Sequence, residues 1–147
     1  MLMNLLVGLP MMLLCLVAQV AMMGVCVRYY FRRVARKGRA GFMQGGLVAL
    51  GVAMVLLMMG NFIQILAWSC LFVGLGEFTD WYDAVFHSAV NFTSLGYGDH
   101  VMSNAWKLLG PLETGNGILM FGMTAAMIMA VLQDLIKNSN RGADAGD

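Results

Sequence analysis

Long stretches without a charged residue constrain this chain more than any other feature of its sequence. Residues 5–27 carry no Asp, Glu, Lys or Arg, residues 40–76 form a run of 37 uncharged positions, and residues 114–133 form a third run. A helix needs about 20 apolar residues to cross a bilayer. The charged fraction, 12%, is about half that of an ordinary soluble domain. We therefore predict an all-α membrane protein with three transmembrane helices.

The uncharged runs also set the predicted boundaries. The N-terminal transmembrane helix takes residues 1–27, a basic linker takes 28–43, and an outer helix takes 47–75. An inner helix is predicted at 112–136. The polar residues 138–147 are expected to form a disordered tail. The second uncharged run is longer than a bilayer requires, which indicates tilt or a start at the interface.

The basic residues predict the orientation of the chain in the membrane. Two more bases, Lys137 and Arg141, follow the inner helix, in addition to those of the linker. The linker bases are Arg28, Arg32, Arg33, Arg36, Lys37 and Arg39. Because positive residues favour the cytoplasmic side, we expect the N-terminus outside and the C-terminus in the cytoplasm. The linker bases are also expected to contact anionic lipid headgroups.

A short amphipathic segment, DWYDAVFHSAVNF at residues 80–92, lies between the outer and inner helices. Asp80 or Thr79 is a suitable N-cap, and Asp83 falls in the first turn, where a negative charge is favourable. A helix of this length rises only about 20 Å, which is too short to cross. We predict a re-entrant pore helix that enters the membrane and stops midway.

The sequence TSLGYGD at residues 93–99 follows this helix. Non-helical backbone at membrane depth is tolerated only where it is buried in protein or lines a water-filled path. Gly96 and Gly98 reach left-handed backbone angles without steric cost, so successive carbonyls are able to face one side. The hydroxyl of Ser94 adds a further oxygen, while Leu95 and Tyr97 are expected to point away. The pattern predicts a row of oxygens that replaces the water around a cation.

These residues resemble the selectivity filter of potassium channels, whose filter motif is TVGYG. The resemblance covers a pore domain at residues 44–137 and is closest to small bacterial two-helix pores, with one additional N-terminal helix. It implies a multi-pass protein of the cell membrane, namely the bacterial inner membrane, in which four chains form a homotetramer. It also implies that the Ser94 hydroxyl and four backbone carbonyls bind K⁺, those of Ser94, Leu95, Gly96 and Tyr97. The filter is then Thr93, Ser94, Leu95, Gly96, Tyr97, Gly98 and Asp99.

The sequence departs from the family pattern at several positions. Ser94 stands where threonine is usual, and Leu95 replaces the common valine or isoleucine. His87 occupies a position that often holds an aromatic residue, and we expect it to support the filter by donating to Asp99 or Tyr97. Val90 stands where some members have a buried glutamate. The hydrogen bonds that support the filter are therefore expected to differ here.

Three further residues are candidates for gating roles. Gly117 and Gly122 lie where the resemblance places a hinge in the inner helix, although either glycine also permits close helix packing. His100 follows the filter at the outer mouth, so its protonation at acidic pH would add positive charge there and reduce K⁺ entry. His100 is thus a possible pH sensor.

The charges in the segment from Glu77 to Glu113 favour cation conduction. This segment has one base, Lys107, against five acids, which gives a net charge of −4 per chain. The acids are Glu77, Asp80, Asp83, Asp99 and Glu113. An acidic outer surface raises the local concentration of cations.

The sequence favours a potassium channel over the other classes of protein. A non-selective monovalent cation channel and a non-conducting accessory membrane subunit remain the alternatives. An enzyme is disfavoured, because Ser94 with His87 or His100 lacks a supporting acid in a recognisable arrangement. We expect no cofactor apart from permeant K⁺ ions, and no nucleic-acid partner.

Overall fold

The protein is described from a computed structural model, in which residues 1–36, 42–97 and 101–144 are described. The described residues form four helices: α1 (Leu2–Arg36), α2 (Phe42–Gly74), α3 (Trp81–Phe92) and α4 (Leu109–Asp144). Three of these helices are long and apolar enough to cross a membrane, over Leu2–Arg33, Gln44–Gly74 and Leu109–Asn138. The prediction of an all-helical protein with three candidate membrane spans is confirmed.

The first helix is longer than predicted. α1 continues to Arg36, through residues assigned to the basic linker at 28–43. Residues 28–36 contain no glycine or proline, and arginine is a good helix former, so nothing in this stretch ends the helix. Lys37 and Arg39, which belong to the same basic group, lie outside the described residues.

The other two long helices also extend beyond their predicted ends. α2 begins at Phe42 rather than at residue 47, and ends at Gly74. α4 begins at Leu109. Pro111 lies in its first turn, where the N–H group that proline lacks has no intrahelical partner. α4 continues to Asp144, so the disorder predicted for 138–147 is wrong for residues 138–144. The polar residues after the span contain no proline and continue the helix.

The chain divides into two compact units, the first of which comprises Met1–Gln19 and Gly60–Phe121. Within this unit, Asn4 Nδ2 donates to the carbonyl of Ala105 at 2.7 Å. Gln64 Nε2 donates to Gln19 Oε1 at 2.8 Å, and both side chains are buried. The first half of α1 is therefore bonded to α2 and to the segment that precedes α4.

The second unit comprises Val20–Met59 and Gly122–Asp147. Tyr30 donates from its hydroxyl to Asp134 Oδ2 at 2.7 Å, which joins α1 to α4. Gly46 lies so close to Leu135 that a Cβ atom on the glycine would be 1.9 Å from Leu135 Cδ2. The buried core of this unit consists of Cys26, Tyr30, Ala49, Ala53, Leu57, Met127, Val131 and Leu135.

The Tyr30–Asp134 bond gives the first testable prediction. Tyr30→Phe keeps the ring but removes the donor to a carboxyl group, which costs about 1–3 kcal/mol. We expect a lower midpoint of thermal denaturation in detergent. Tyr29→Phe is the matched control, since the neighbouring tyrosine is only partly buried and the change keeps its ring packed against the core cluster, and we expect it to keep the wild-type midpoint. Equal midpoints for the two variants would contradict the assignment.

Candidate functional site

The short helix α3 lies where the sequence predicts a pore helix. Its N-cap is Asp80, which has extended backbone angles and accepts from the Asp83 N–H at 3.4 Å through Oδ2. This bond satisfies one of the free N–H groups at the start of the helix. The buried residues of α3 are Ala84, His87, Ser88, Val90 and Phe92.

The last turn of α3 holds the segment that follows it. The Ser94 N–H donates to the carbonyl of Asn91, and the Leu95 N–H donates to the carbonyl of Val90, each at 2.9 Å. Thr93 caps the helix, donating from both its N–H and its hydroxyl to the carbonyl of Ala89 at 3.0 and 2.7 Å. The start of the predicted filter is therefore fixed to α3 through backbone atoms.

Two residues of the predicted filter have left-handed backbone angles. Gly96 has a φ of 66°, as its position in the motif predicts, and Ser94 has a φ of 60°. Left-handed angles are uncommon for a residue with a side chain, and the sequence analysis does not predict this one. The bonds of Ser94 and Leu95 to Asn91 and Val90 form a Schellman motif, which ends a helix with a left-handed residue, so the angle of Ser94 belongs to the cap of α3.

Tyr97 lies against α3. Its ring is nearly parallel to that of Phe86, with an interplanar angle of 12° and centroids 6.5 Å apart. This ring contact joins the predicted filter to α3. Tyr97 nevertheless remains 63% exposed and Leu95 56% exposed in the single chain.

A buried carboxyl group lies behind α3, on the helix that follows it. Glu113 of α4 is fully buried and contacts the Ser88 hydroxyl through Oε1. Asn91 Nδ2 donates to Glu113 Oε2 at 3.2 Å. Ser88 also contacts the carbonyl of Ile65 on α2, at 2.8 Å. These contacts tie α3 to α2 and α4, and the sequence analysis placed Glu113 instead among the acids of the outer surface.

His87 is part of the same group of side chains. Its Nε2 atom is 2.9 Å from Asn91 Nδ2. Its ring packs on Phe72 and Phe78, with centroid distances of 5.6 and 4.9 Å. The expected bond from His87 to Asp99 involves a residue outside the described part of the chain. His87 therefore supports α3 through Asn91 and two aromatic rings.

Gly117 lies where α4 crosses the end of α3. A Cβ atom at this position would be 2.0 Å from the backbone oxygen of Phe92, a distance that no neighbouring side chain can relieve. Gly122, the other predicted hinge, has no atom within 4 Å of such a Cβ. The geometry of Gly117 favours close packing, the alternative that the sequence left open.

The remaining predicted site residues are Gly98, Asp99 and His100, which lie outside the described residues. The predicted filter therefore has described backbone for Thr93 to Tyr97, and acid sensing by His100 stays a prediction. The acidic surface loses one member, because the burial of Glu113 removes its charge from the solvent-facing group. Glu77 accepts from the N–H and the hydroxyl of Ser103 at 2.7 and 2.6 Å.

The class of protein is therefore an all-helical membrane protein in which a short capped helix and a non-helical segment lie between two candidate spans. Residues 55–134, more than half of the chain, match the model of the family described as "Ion channel". The protein belongs to this ion channel family. Comparisons with curated proteins and with solved structures gave no match.

The contact at Gly117 predicts a large effect of a small substitution. Gly117→Ala places a methyl group against the Phe92 carbonyl and forces the two helices apart, an overpacking that costs about 1–3 kcal/mol or more. We expect a lower midpoint of thermal denaturation and loss of ion flux in liposomes. Gly122→Ala is the matched control on the same helix and is expected to keep the wild-type midpoint. An unchanged Gly117→Ala protein would show that the contact is not close.

Proposed function

We propose that the protein is a potassium-selective channel that conducts K⁺ passively through a homotetrameric pore. The observation that supports this most is the left-handed backbone of Gly96, in the segment directly after a helix of pore-helix length. The carbonyls of Ser94 to Tyr97 and the Ser94 hydroxyl would replace the hydration shell of the ion. Membership of an ion channel family supports transport rather than catalysis.

The surface of the single chain supports assembly around a common axis. One chain supplies one strand of oxygens, and a ring of ligands around an ion needs several strands. Tyr97 and Leu95 are exposed in the isolated chain although they belong to the predicted filter. A cleft of about 230 Å³ lies beside Tyr97 and is lined in part by Phe86 and Val101. A neighbouring copy would cover these apolar side chains.

Selectivity is tested by the reversal potential of purified protein in bilayers with K⁺ on one side and Na⁺ on the other. A reversal potential close to the equilibrium potential of K⁺ supports the proposal. A reversal potential near zero supports a non-selective cation channel. Liposomes that keep their K⁺ gradient indicate a non-conducting subunit. The same preparation thus distinguishes the three functions that the sequence left open.

Gly96→Ala tests the predicted filter directly. Alanine at a left-handed position costs about 1–2 kcal/mol, and here the strain falls on the backbone that would bind the ion. We expect the preference for K⁺ over Na⁺ to fall sharply. Gly76→Ala is the matched control, because Gly76 has a similar φ of 76° in the turn after α2, away from the filter. Equal selectivity in both variants would contradict the role of Gly96.

We further propose that the basic end of α1 lies on the cytoplasmic side and binds an anionic lipid headgroup. Arg28 and Arg32 are one helical turn apart and line a notch of about 320 Å³ with Val25 and Tyr29. Two guanidinium groups above apolar side chains suit a phosphate group with its acyl chain.

The lipid proposal predicts which of two labelled lipids co-purifies with the protein. The Arg28→Gln, Arg32→Gln double variant is expected to lose the preference of the protein for phosphatidylglycerol over phosphatidylcholine, measured by co-purification of labelled lipid. Lys107→Gln, which removes a base from the segment before α4, is the control and is expected to keep it. A preference that persists in the double variant would place the lipid elsewhere.

A further inference from the structure

The hydroxyl of Ser88 lies between two oxygen atoms. Its Oγ atom is 2.8 Å from the carbonyl oxygen of Ile65 and is in hydrogen-bond contact with Glu113 Oε1. A hydroxyl has one hydrogen to donate, and a carbonyl oxygen only accepts. If Ser88 donates to Ile65, the hydrogen between Ser88 and Glu113 belongs to Glu113. If Ser88 donates to Glu113 instead, two oxygens face each other at 2.8 Å with no hydrogen between them.

On the other side of the Glu113 carboxyl group, both hydrogens of the Asn91 side-chain amide are already bonded. Nδ2 has two hydrogens and two partners, Glu113 Oε2 at 3.2 Å and His87 Nε2 at 2.9 Å. His87 Nε2 therefore accepts, and a neutral ring has its hydrogen on Nδ1. Asn91 supplies no hydrogen to Oε1, so the contact of Oε1 with Ser88 must be completed by Glu113 or by Ser88.

The surroundings of Glu113 also favour a neutral group. The side chain is fully buried, and its two hydrogen-bond partners are a hydroxyl and an amide, neither of which has a charge. Among the described residues, the titratable groups linked to it are the thiol of Cys15 on α1 and, through Asn91, the ring of His87 on α3. α2 contributes the carbonyl of Ile65. An isolated buried carboxylate is costly in such surroundings.

We propose that Glu113 is a neutral carboxylic acid, and that its proton completes a hydrogen-bond chain from Glu113 through Ser88 to the Ile65 carbonyl. This chain positions α3 between α2 and α4. Asn91 and Val90 accept the backbone bonds of Ser94 and Leu95 in the predicted filter, so a shift of α3 passes directly to these two residues. Glu113 is thus a positioning residue, and its effect on conduction, though not its protonation, rests on the proposed function.

Two variants at Glu113 test the proposal by their difference. Glutamine has one donor group and one acceptor oxygen, as a neutral acid has, so Glu113→Gln keeps the bonds to Ser88 and Asn91. We expect it to retain wild-type K⁺ flux and selectivity. Glu113→Leu leaves Asn91 without an acceptor, and we expect flux to fall about tenfold. A Glu113→Gln protein as damaged as Glu113→Leu would overturn the proposal.

Infrared spectroscopy at neutral pH tests the proton independently of conduction. In an ester-free detergent, the wild-type protein is expected to show the C=O band of a protonated carboxyl group, and Glu113→Gln is expected to lack it. Ser88→Ala should shift the band, because the acid loses its acceptor.

Glu77→Gln is the matched control for the infrared measurement. The Glu77 carboxyl accepts from two true donors of Ser103, so its hydrogen count fits a carboxylate, and we expect the band to persist in this variant. A wild-type spectrum without the band, or a band that survives in Glu113→Gln, would overturn the proposal. If the wild-type protein conducts no K⁺, the proposed function is wrong. The infrared result does not depend on conduction, so it tests the protonation of Glu113 separately.

Discussion

The position of α3 depends on its close contact with α4. A helix of 12 residues has little stability of its own in isolation, so its place is set by packing. At one end of the contact, the backbone of Gly117 lies against the Phe92 carbonyl, and one helical turn earlier Glu113 bonds to Ser88 and Asn91. At Gly117 the two helix backbones come so close that only glycine fits. At Glu113 the contact is made by buried polar groups, which are costly unless they are hydrogen-bonded.

Residues 93–95, directly after α3, take their geometry from this helix. Ser94 and Leu95 are held by the carbonyls of Asn91 and Val90, and Thr93 by that of Ala89. Asn91 therefore bonds to Glu113 through its side chain and to Ser94 through its backbone carbonyl. The position of α3 therefore determines the position of the start of the predicted filter, because the two are bonded through the last turn of the helix.

Hydropathy and turn chemistry were enough to predict the three spans and α3, because uncharged runs and an Asp N-cap are local signals. Glu113 was missed for the opposite reason. An acid at the start of a span is usually solvated, and its burial depends on Ser88 and Asn91, which approach it only in the fold. The extension of α1 to Arg36 was missed because charge marks the end of a span and does not end a helix. Gly117 was recognised as special, but only the Phe92 carbonyl distinguishes packing from a hinge.

The N-terminal helix lies outside the family match, which begins at residue 55, yet it is bonded to matched residues in both units of the chain. Gln19 bonds to Gln64 in the first unit, and Tyr30 bonds to Asp134 in the second. In an apolar environment such polar pairs find no water as a substitute. Each of these bonds fixes which face of α1 meets the other helices of its own unit. The additional helix therefore belongs to the folded channel protein as a structural element with a defined face.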